Sequence, residues 1–296
     1  MQKHILWILL LSLCGTAMQQ SDNTGQRLYQ DTNSSIKIVL FDLNGVLLDT
    51  SKRGITKEII RLLGLGGMAR FTMRALFSKQ HPREEIFSFM EEVGGYQGRS
   101  DNEYFATDPQ GRPLPALMCN WLAGLPYHNS GHILAFLYEK IDAAYYDKTQ
   151  KRIMKHLARA IFDPAIRAAH THTLKPGYRL LRYVQDRYPD CTYAILSNYD
   201  TTCFLKTYEK PELAKVFKRF NPKDTHISAD LRMIKPHPQI YWYICEYYNV
   251  NPSECLFIDD EIENVKAARE IGMNAIHFNQ RRTKHIYPAI NELLTR

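Results

Sequence analysis

The chain has no apolar run near the roughly 20 residues that a bilayer-crossing helix needs. It also lacks closely spaced cysteines. The 6 present are Cys14, Cys119, Cys191, Cys203, Cys245 and Cys255. No Cys-x-x-Cys pair exists, so a cysteine metal site is excluded. Setting aside Cys14, which falls in a leader segment, the rest are odd in number and suggest no disulfide framework. Neither sign of charge dominates. The 38 Lys+Arg against 31 Asp+Glu leave a formal +7, too diffuse to name a partner and giving no nucleic-acid footprint. No internal repeat is present. With 45% hydrophobic and 23% charged residues, the chain has the material for a core, which excludes disorder and low-complexity fibre. A length of 296 fits one large domain or two modest ones.

The leader is the first positive feature. Lys3 and His4 precede an apolar run from Ile5 to Leu13, and the small residues Gly15, Thr16 and Ala17 follow. This is the layout of a secretory signal peptide over 1–17, cleaved after Ala17. Leu13 is too large for a lipoprotein signal at Cys14. Residues 18–35 are polar and read as a linker. The protein is therefore expected to be exported, periplasmic or secreted in a bacterium, with no stable membrane span after cleavage.

IKIVLF at 36–41 is a continuous apolar run that ends at Asp42, and it reads as a buried parallel strand. From about 55 to 170 the apolar spacing becomes helical, as in ITKEIIRLL, MARFTMRALF, REEIFSFMEEV, HILAFLYEKIDAAYY and KRIMKHLARAIF. The polar stretch 94–113 reads as a long loop. After about 174, strands and helices alternate, which implies βαβ units and a mostly parallel sheet. The expected fold is α/β: a doubly wound, Rossmann-like core at 36–50 and 171–296, with an α-helical cap inserted at 51–170. Ligands bind outside the carboxyl ends of parallel strands, so such an insertion would cover the site.

Polar residues suited to chemistry stand at those ends: Asp42, then Ser197 and Asn198 after AIL, then Asp259 and Asp260 after LFI. Lys235 lies between them in MIKPHP. Three carboxylates in one crevice repel unless cations sit among them. Lys235 supplies one charge, and a hard divalent ion such as Mg²⁺ would supply the rest.

FDLNGVLLDT, ILSN, IKPHP and FIDDEIEN, in this order, resemble the four motifs of the haloacid dehalogenase superfamily, in the type whose helical cap lies between the first two. The resemblance covers about 36–279. It implies that Asp42 is the nucleophile, phosphorylated by substrate in the family's phosphatases. Ser197 would hydrogen-bond the transferring group, with Asn198 beside it, and Lys235 would neutralise charge on nucleophile and phosphoryl group. Mg²⁺ would be held by Asp42, the Asn44 carbonyl and Asp259. Asp260 would hold the metal shell and the lysine, and Asn264 would support the fourth motif.

Asn44 departs from the pattern, because the family's phosphatases usually carry Asp there as general acid and base. Asparagine has no proton to give, and general acid–base catalysis is worth roughly 10²–10⁴-fold. Three readings follow. The first is a Mg²⁺-dependent phosphohydrolase acting on a small anionic phosphomonoester, with altered acid–base help. The second is an exported binding protein on an inactivated fold. The third is a metal-independent carbon–halogen hydrolase. Lys52 and Arg53 stand where either could meet an anionic substrate. His128 and His132 fit a helix start capped by Asn129 or Ser130, and His170 and His172 fit a solvated hinge. Trp121 and YWYICEYY read as core, and RRTKH at 281–285 as solvated surface.

Overall fold

Residues 35–51, 54–61, 82–93, 105–108 and 111–295 are described in a computed structural model. The leader, the linker up to residue 34, Lys52, Arg53, the MARFTMRALF helix and 94–104 of the long loop lie outside the described residues.

The first apolar run forms β1 (Ile38–Phe41), and β2 (Leu48–Thr50) follows closely. Residues 54–61 are helical. Helices α1 (Pro82–Glu92), α2 (Ala116–Leu122), α3 (Ser130–Ala143), α4 (Lys148–Phe162) and α5 (Pro164–His170) then lead to β3 (Thr171–Thr173). The second half runs α6 (Lys175–Arg187), β4 (Thr192–Ser197), α7 (Thr201–Tyr208), α8 (Ala214–Phe217), β5 (Thr225–Ile227) and α9 (Ser228–Leu231). It ends with α10 (Pro238–Tyr248), β6 (Cys255–Asp259), α11 (Ile262–Glu270), β7 (Asn274–His277) and α12 (Ile286–Leu294).

Five strands form a parallel sheet in the order β5-β4-β1-β6-β7. Strand side chains alternate between faces, so a strand covered on both sides must be apolar throughout. In β1, Ile38 and Leu40 pack with Tyr241 and Ile244 of α10 and Val265 of α11. Val39 and Phe41 pack on the other side with Leu180 and Val184 of α6 and Ile290 of α12. Each such buried side chain contributes about 1.5–3 kcal/mol over its exposed state. This is the doubly wound arrangement, with helices on both faces.

The short strands β2 and β3 pair antiparallel, Leu48 with Thr173 and Thr50 with Thr171. A Thr50–Thr171 hydroxyl contact of 3.0 Å closes the pair. They join the points where the chain leaves for the helical segment and returns from it. Three residues per strand are too few to show a period, so neither strand is legible in the sequence, and α2 and α5, of 7 residues each, are not either. The cap helices start on side-chain caps. Asn129 accepts from the His132 amide at 3.0 Å, and Asp147 forms a capping box with Gln150. The helix-start reading of His128 and His132 therefore describes this segment.

Polar contacts tie cap to core. Trp121 Nε1 donates to Ser130 Oγ at 3.1 Å, and Ser130 Oγ donates to Asp200 Oδ1 at 3.1 Å. Ser228 Oγ donates to the Leu122 carbonyl at 2.6 Å. No helix among the described residues is long and apolar enough to cross a membrane.

Candidate active site

The chain steps from β1 to β4 to β5 along one side of the sheet, then jumps back to β6 and β7 on the other. The loops leaving β1 and β6 therefore diverge, which opens a crevice at their carboxyl ends. Pairing of Phe41 with Ile258 sets Asp42 level with Asp259, and the Asp42 amide extends the ladder to the Ile258 carbonyl at 3.0 Å. Ser197 ends β4 on the other flank of β1.

Lys235 is 1% exposed. Its ammonium donates to Asp42 Oδ1 at 2.8 Å, Asp259 Oδ2 at 2.6 Å and the Leu196 carbonyl at 3.0 Å. An ammonium has three protons, and these three partners use them all. Asn198 fixes the loop that carries the lysine. Its Nδ2 donates to the Lys235 carbonyl at 2.8 Å and its Oδ1 accepts the Lys235 amide at 2.8 Å. Both polar atoms of Asn198 thus serve the lysine backbone. These bonds give it a positioning part, and it also lines the cavity over the crevice, where the substrate contact expected from the sequence would be made.

The acidic pair divides differently from the expectation. Asp259 is fully buried and takes the lysine, the Glu261 amide at 2.7 Å and the Asn264 side chain at 3.2 Å. Asp260 does not touch the lysine; its carboxylate accepts no hydrogen bond among the described residues. Instead it lies against Gly45, where any Cβ would overlap the carboxylate, and Gly45 has φ +85°. A side chain there is excluded by both space and backbone conformation. Carboxylate oxygens of Asp42, Asp259 and Asp260 all lie within 4.8 Å of one another.

The model of the haloacid dehalogenase-like hydrolases matches residues 36–272, four-fifths of the chain and all four motifs. The chain belongs to this family. Among curated relatives it is 31% identical over 88 residues to an (S)-2-haloacid dehalogenase of Burkholderia cepacia, covering 29% of this chain and 36% of the relative. It is 46% identical over 44 residues to a chloroplast flavin mononucleotide hydrolase of Arabidopsis thaliana, covering 15% and 18%. These matches span well under two thirds of the relatives' own lengths. A solved HAD family enzyme of Bacteroides thetaiotaomicron shares the fold at 16% identity and TM-score 0.52, over 86% of this chain and 99% of its own.

In this haloacid dehalogenase-like hydrolase the crevice holds more negative charge than its lysine can balance. Burial and Asp259 push the Asp42 carboxyl up to about 6, against the pull of Lys235 and Ser197. Burial, Asp259 and Asp42 raise Asp260 well above the usual range. Glu261 is pushed up to about 8 by burial first and by Asp259 second. Burial alone would lower the Lys235 ammonium, but Asp259 and Asp42 more than offset it and hold its proton firmly. Hard oxygen donors with excess negative charge suit Mg²⁺. The Asn44 Oδ1, buried with no partner among the described residues, lines the same cavity. The residues therefore fit the ion.

A pH dependence follows. A carboxyl whose folded pKa is raised binds protons more tightly in the native state, so stability falls as pH climbs from the unfolded to the folded value. For Asp42 and Glu261 that window runs from about 4 to about 8. In chelator, the melting temperature should drop between pH 5 and pH 8, and Mg²⁺ should restore more of it at pH 8. Calorimetric scans at both pH values, with and without Mg²⁺, check this. A flat profile would mean that the carboxylates are already balanced.

A cavity of about 250 Å³ opens over the crevice. Asp42, Asn44, Ser197, Asn198, Lys235, Glu261 and Asn264 line its core side, and Phe87, Asp108, Met118, Trp121 and Arg167 are among the residues of its cap side. The sequence reading did not single out Glu261, Asp108 or Arg167. Trp121, expected as core, is buried and also forms cavity wall. His128, His132, His170 and His172 do not line the cavity. The exposed residues of RRTKH fit their solvated reading.

Proposed function

We propose that this chain is a Mg²⁺-dependent phosphohydrolase acting on a small phosphomonoester through an aspartyl-phosphate at Asp42. The observation that carries this reading is charge: three carboxylates gathered within 4.8 Å face the one buried ammonium of Lys235. A metal-independent mechanism leaves that excess unbalanced. Asp42, Asp259 and Asp260, with Asn44, would hold the ion. When bound, Mg²⁺ supplies the missing positive charge for carboxylates and phosphoryl oxygens.

The chain's own groups then account for the displacement. An Asp42 carboxylate oxygen forms a bond to phosphorus while the ester P–O bond breaks. Lys235, anchored on Asp42 and Asp259, neutralises charge on the nucleophile and on the phosphoryl oxygens. The Ser197 hydroxyl, bonded to Asp42, stands at the same place. Water next attacks phosphorus, releases phosphate and regenerates Asp42. The leaving oxygen needs a proton that Asn44 cannot give. Leaving groups that depart without one are therefore favoured.

A relative named for flavin mononucleotide hydrolysis supports a phosphate ester, and one named for (S)-2-haloacids supports the halide alternative. Asn44 is the observation that favours the second. The two separate on one measurement. Phosphate release from an aryl phosphate should require Mg²⁺, cease in chelator, and exceed release from an alkyl phosphate. Halide release from a 2-haloacid in chelator would overturn the proposal. Export is part of the same proposal and rests on the leader at 1–17. Amino-terminal sequencing of the mature protein tests it.

A further inference from the structure

Arg167 is the feature of the cavity that the chemistry at Asp42 does not use. It lies on α5, just before the chain returns to the core. Its guanidinium sits 5.7 Å from the Trp121 ring of the cap and 5.9 Å from the Tyr199 ring of the core. Among the described residues its Nε is buried without a partner, and its one hydrogen bond is a long 3.4 Å contact from Nη1 to the Ile161 carbonyl. Among the described residues no carboxylate lies within ion-pair distance of it. Asp108, the acidic group on the same cap wall, is engaged by Arg112 through Oδ2 at 2.8 Å.

A guanidinium is always charged, and its donors form a planar fork. The two aromatic rings hold this half-buried guanidinium by cation–π attraction, which leaves its donors to an anion. Phe87, Leu114, Met118 and Leu122 supply apolar wall between cap and core. The cavity lining thus combines the phosphoryl-handling groups, apolar side chains and a second cation, Arg167.

We propose that Arg167 holds a carboxylate on the substrate, remote from the reacting phosphoryl group, so that the enzyme selects small phosphorylated organic acids with a flat or apolar body. A carboxylate matches the guanidinium fork in plane and in charge. This rests on the phosphohydrolase reading, and its test is built to fail separately.

Two substrates differing only at the remote group isolate the contact: meta-carboxyphenyl phosphate and meta-carbamoylphenyl phosphate. Their non-hydrolysable phosphonates isolate binding from turnover. With Mg²⁺ present, the wild type should prefer the acid over the amide by about 10–100-fold in kcat/KM, the range of a charge-assisted hydrogen bond. Calorimetry on the phosphonates should show the same preference in Kd. In Arg167→Gln both ratios should collapse toward one, chiefly through KM. Arg167→Lys, which keeps the charge and loses the fork, should fall between. A merely structural role would weaken acid and amide alike, and that result overturns the proposal, as does a wild type with no preference. If no phosphate is released from either substrate, the phosphohydrolase reading fails. The phosphonate ratios still decide Arg167, and absent or equal binding of the pair overturns its role.

Discussion

Lys235→Met should lower the unfolding free energy of the metal-free protein by about 3–5 kcal/mol, the usual cost of removing one partner from a buried ion pair. The lysine is 1% exposed and lies between Asp42 and Asp259, which are 5% and 0% exposed. Methionine fills much of the same volume, so the loss is electrostatic and not a cavity effect. The sign of its pH dependence is set by Asp42. Lys235 holds that carboxyl down, so without it the folded pKa rises above the present value of about 6. Below that higher value the native state keeps the proton, and the penalty shrinks. Urea titrations in chelator should therefore show a smaller loss at pH 5 than at pH 8. Adding Asp259→Asn to the variant should recover part of the loss, since one uncompensated charge goes with it. Phosphate release should also fall by about 10²–10³-fold, as when a transition-state donor is deleted. A loss under about 0.5 kcal/mol, or one independent of pH, would mean that water or another cation reaches these carboxylates.

The core of the site was legible because its strands are buried on both faces. Such strands are written as unbroken apolar runs, so the first polar residue after each run stands out. Asp42, Ser197 and Asp259 are all of this kind. The division of labour between Asp259 and Asp260 was not legible. Neighbours at a strand end point to opposite sides, and only the pairing of Phe41 with Ile258 decides which of them meets Lys235. Asn198 shows the same limit. Its place after β4 could be read, but its two bonds to the Lys235 backbone span 37 residues of chain. The cap side was hidden for another reason. Arg167 and Trp121 lie on helices of 7 residues each, too short for an apolar period to reveal an inward face. Glu261 stands at the start of α11, where an acid is ordinary, and only burial among other carboxylates distinguishes it.

Asn44→Asp should accelerate hydrolysis of alkyl phosphates by about 10²–10⁴-fold, the range that a positioned general acid contributes. The substitution is nearly isosteric, and the Asn44 Oδ1 already sits buried in the cavity wall with no partner to lose. The new carboxyl would stand beside Asp42, whose charge favours its protonated form. It would therefore be able to hold a proton in the cavity that Asp42 also lines. Alkoxides need that proton and phenoxides with good electron-withdrawing groups do not, so the gain should be small on activated aryl phosphates. Rates on a series of leaving groups, with Mg²⁺ in excess, measure this as a shallower dependence on leaving-group pKa. Equal gains across the series would mean that the carboxylate acts on the metal site and not on the leaving group. Asp42→Asn in either background should be inert, because the bond to phosphorus forms there. If the natural protein is inert on every ester while Asn44→Asp turns over, the site is intact but lacks its acid, and a binding role on a silenced hydrolase fold becomes the better reading.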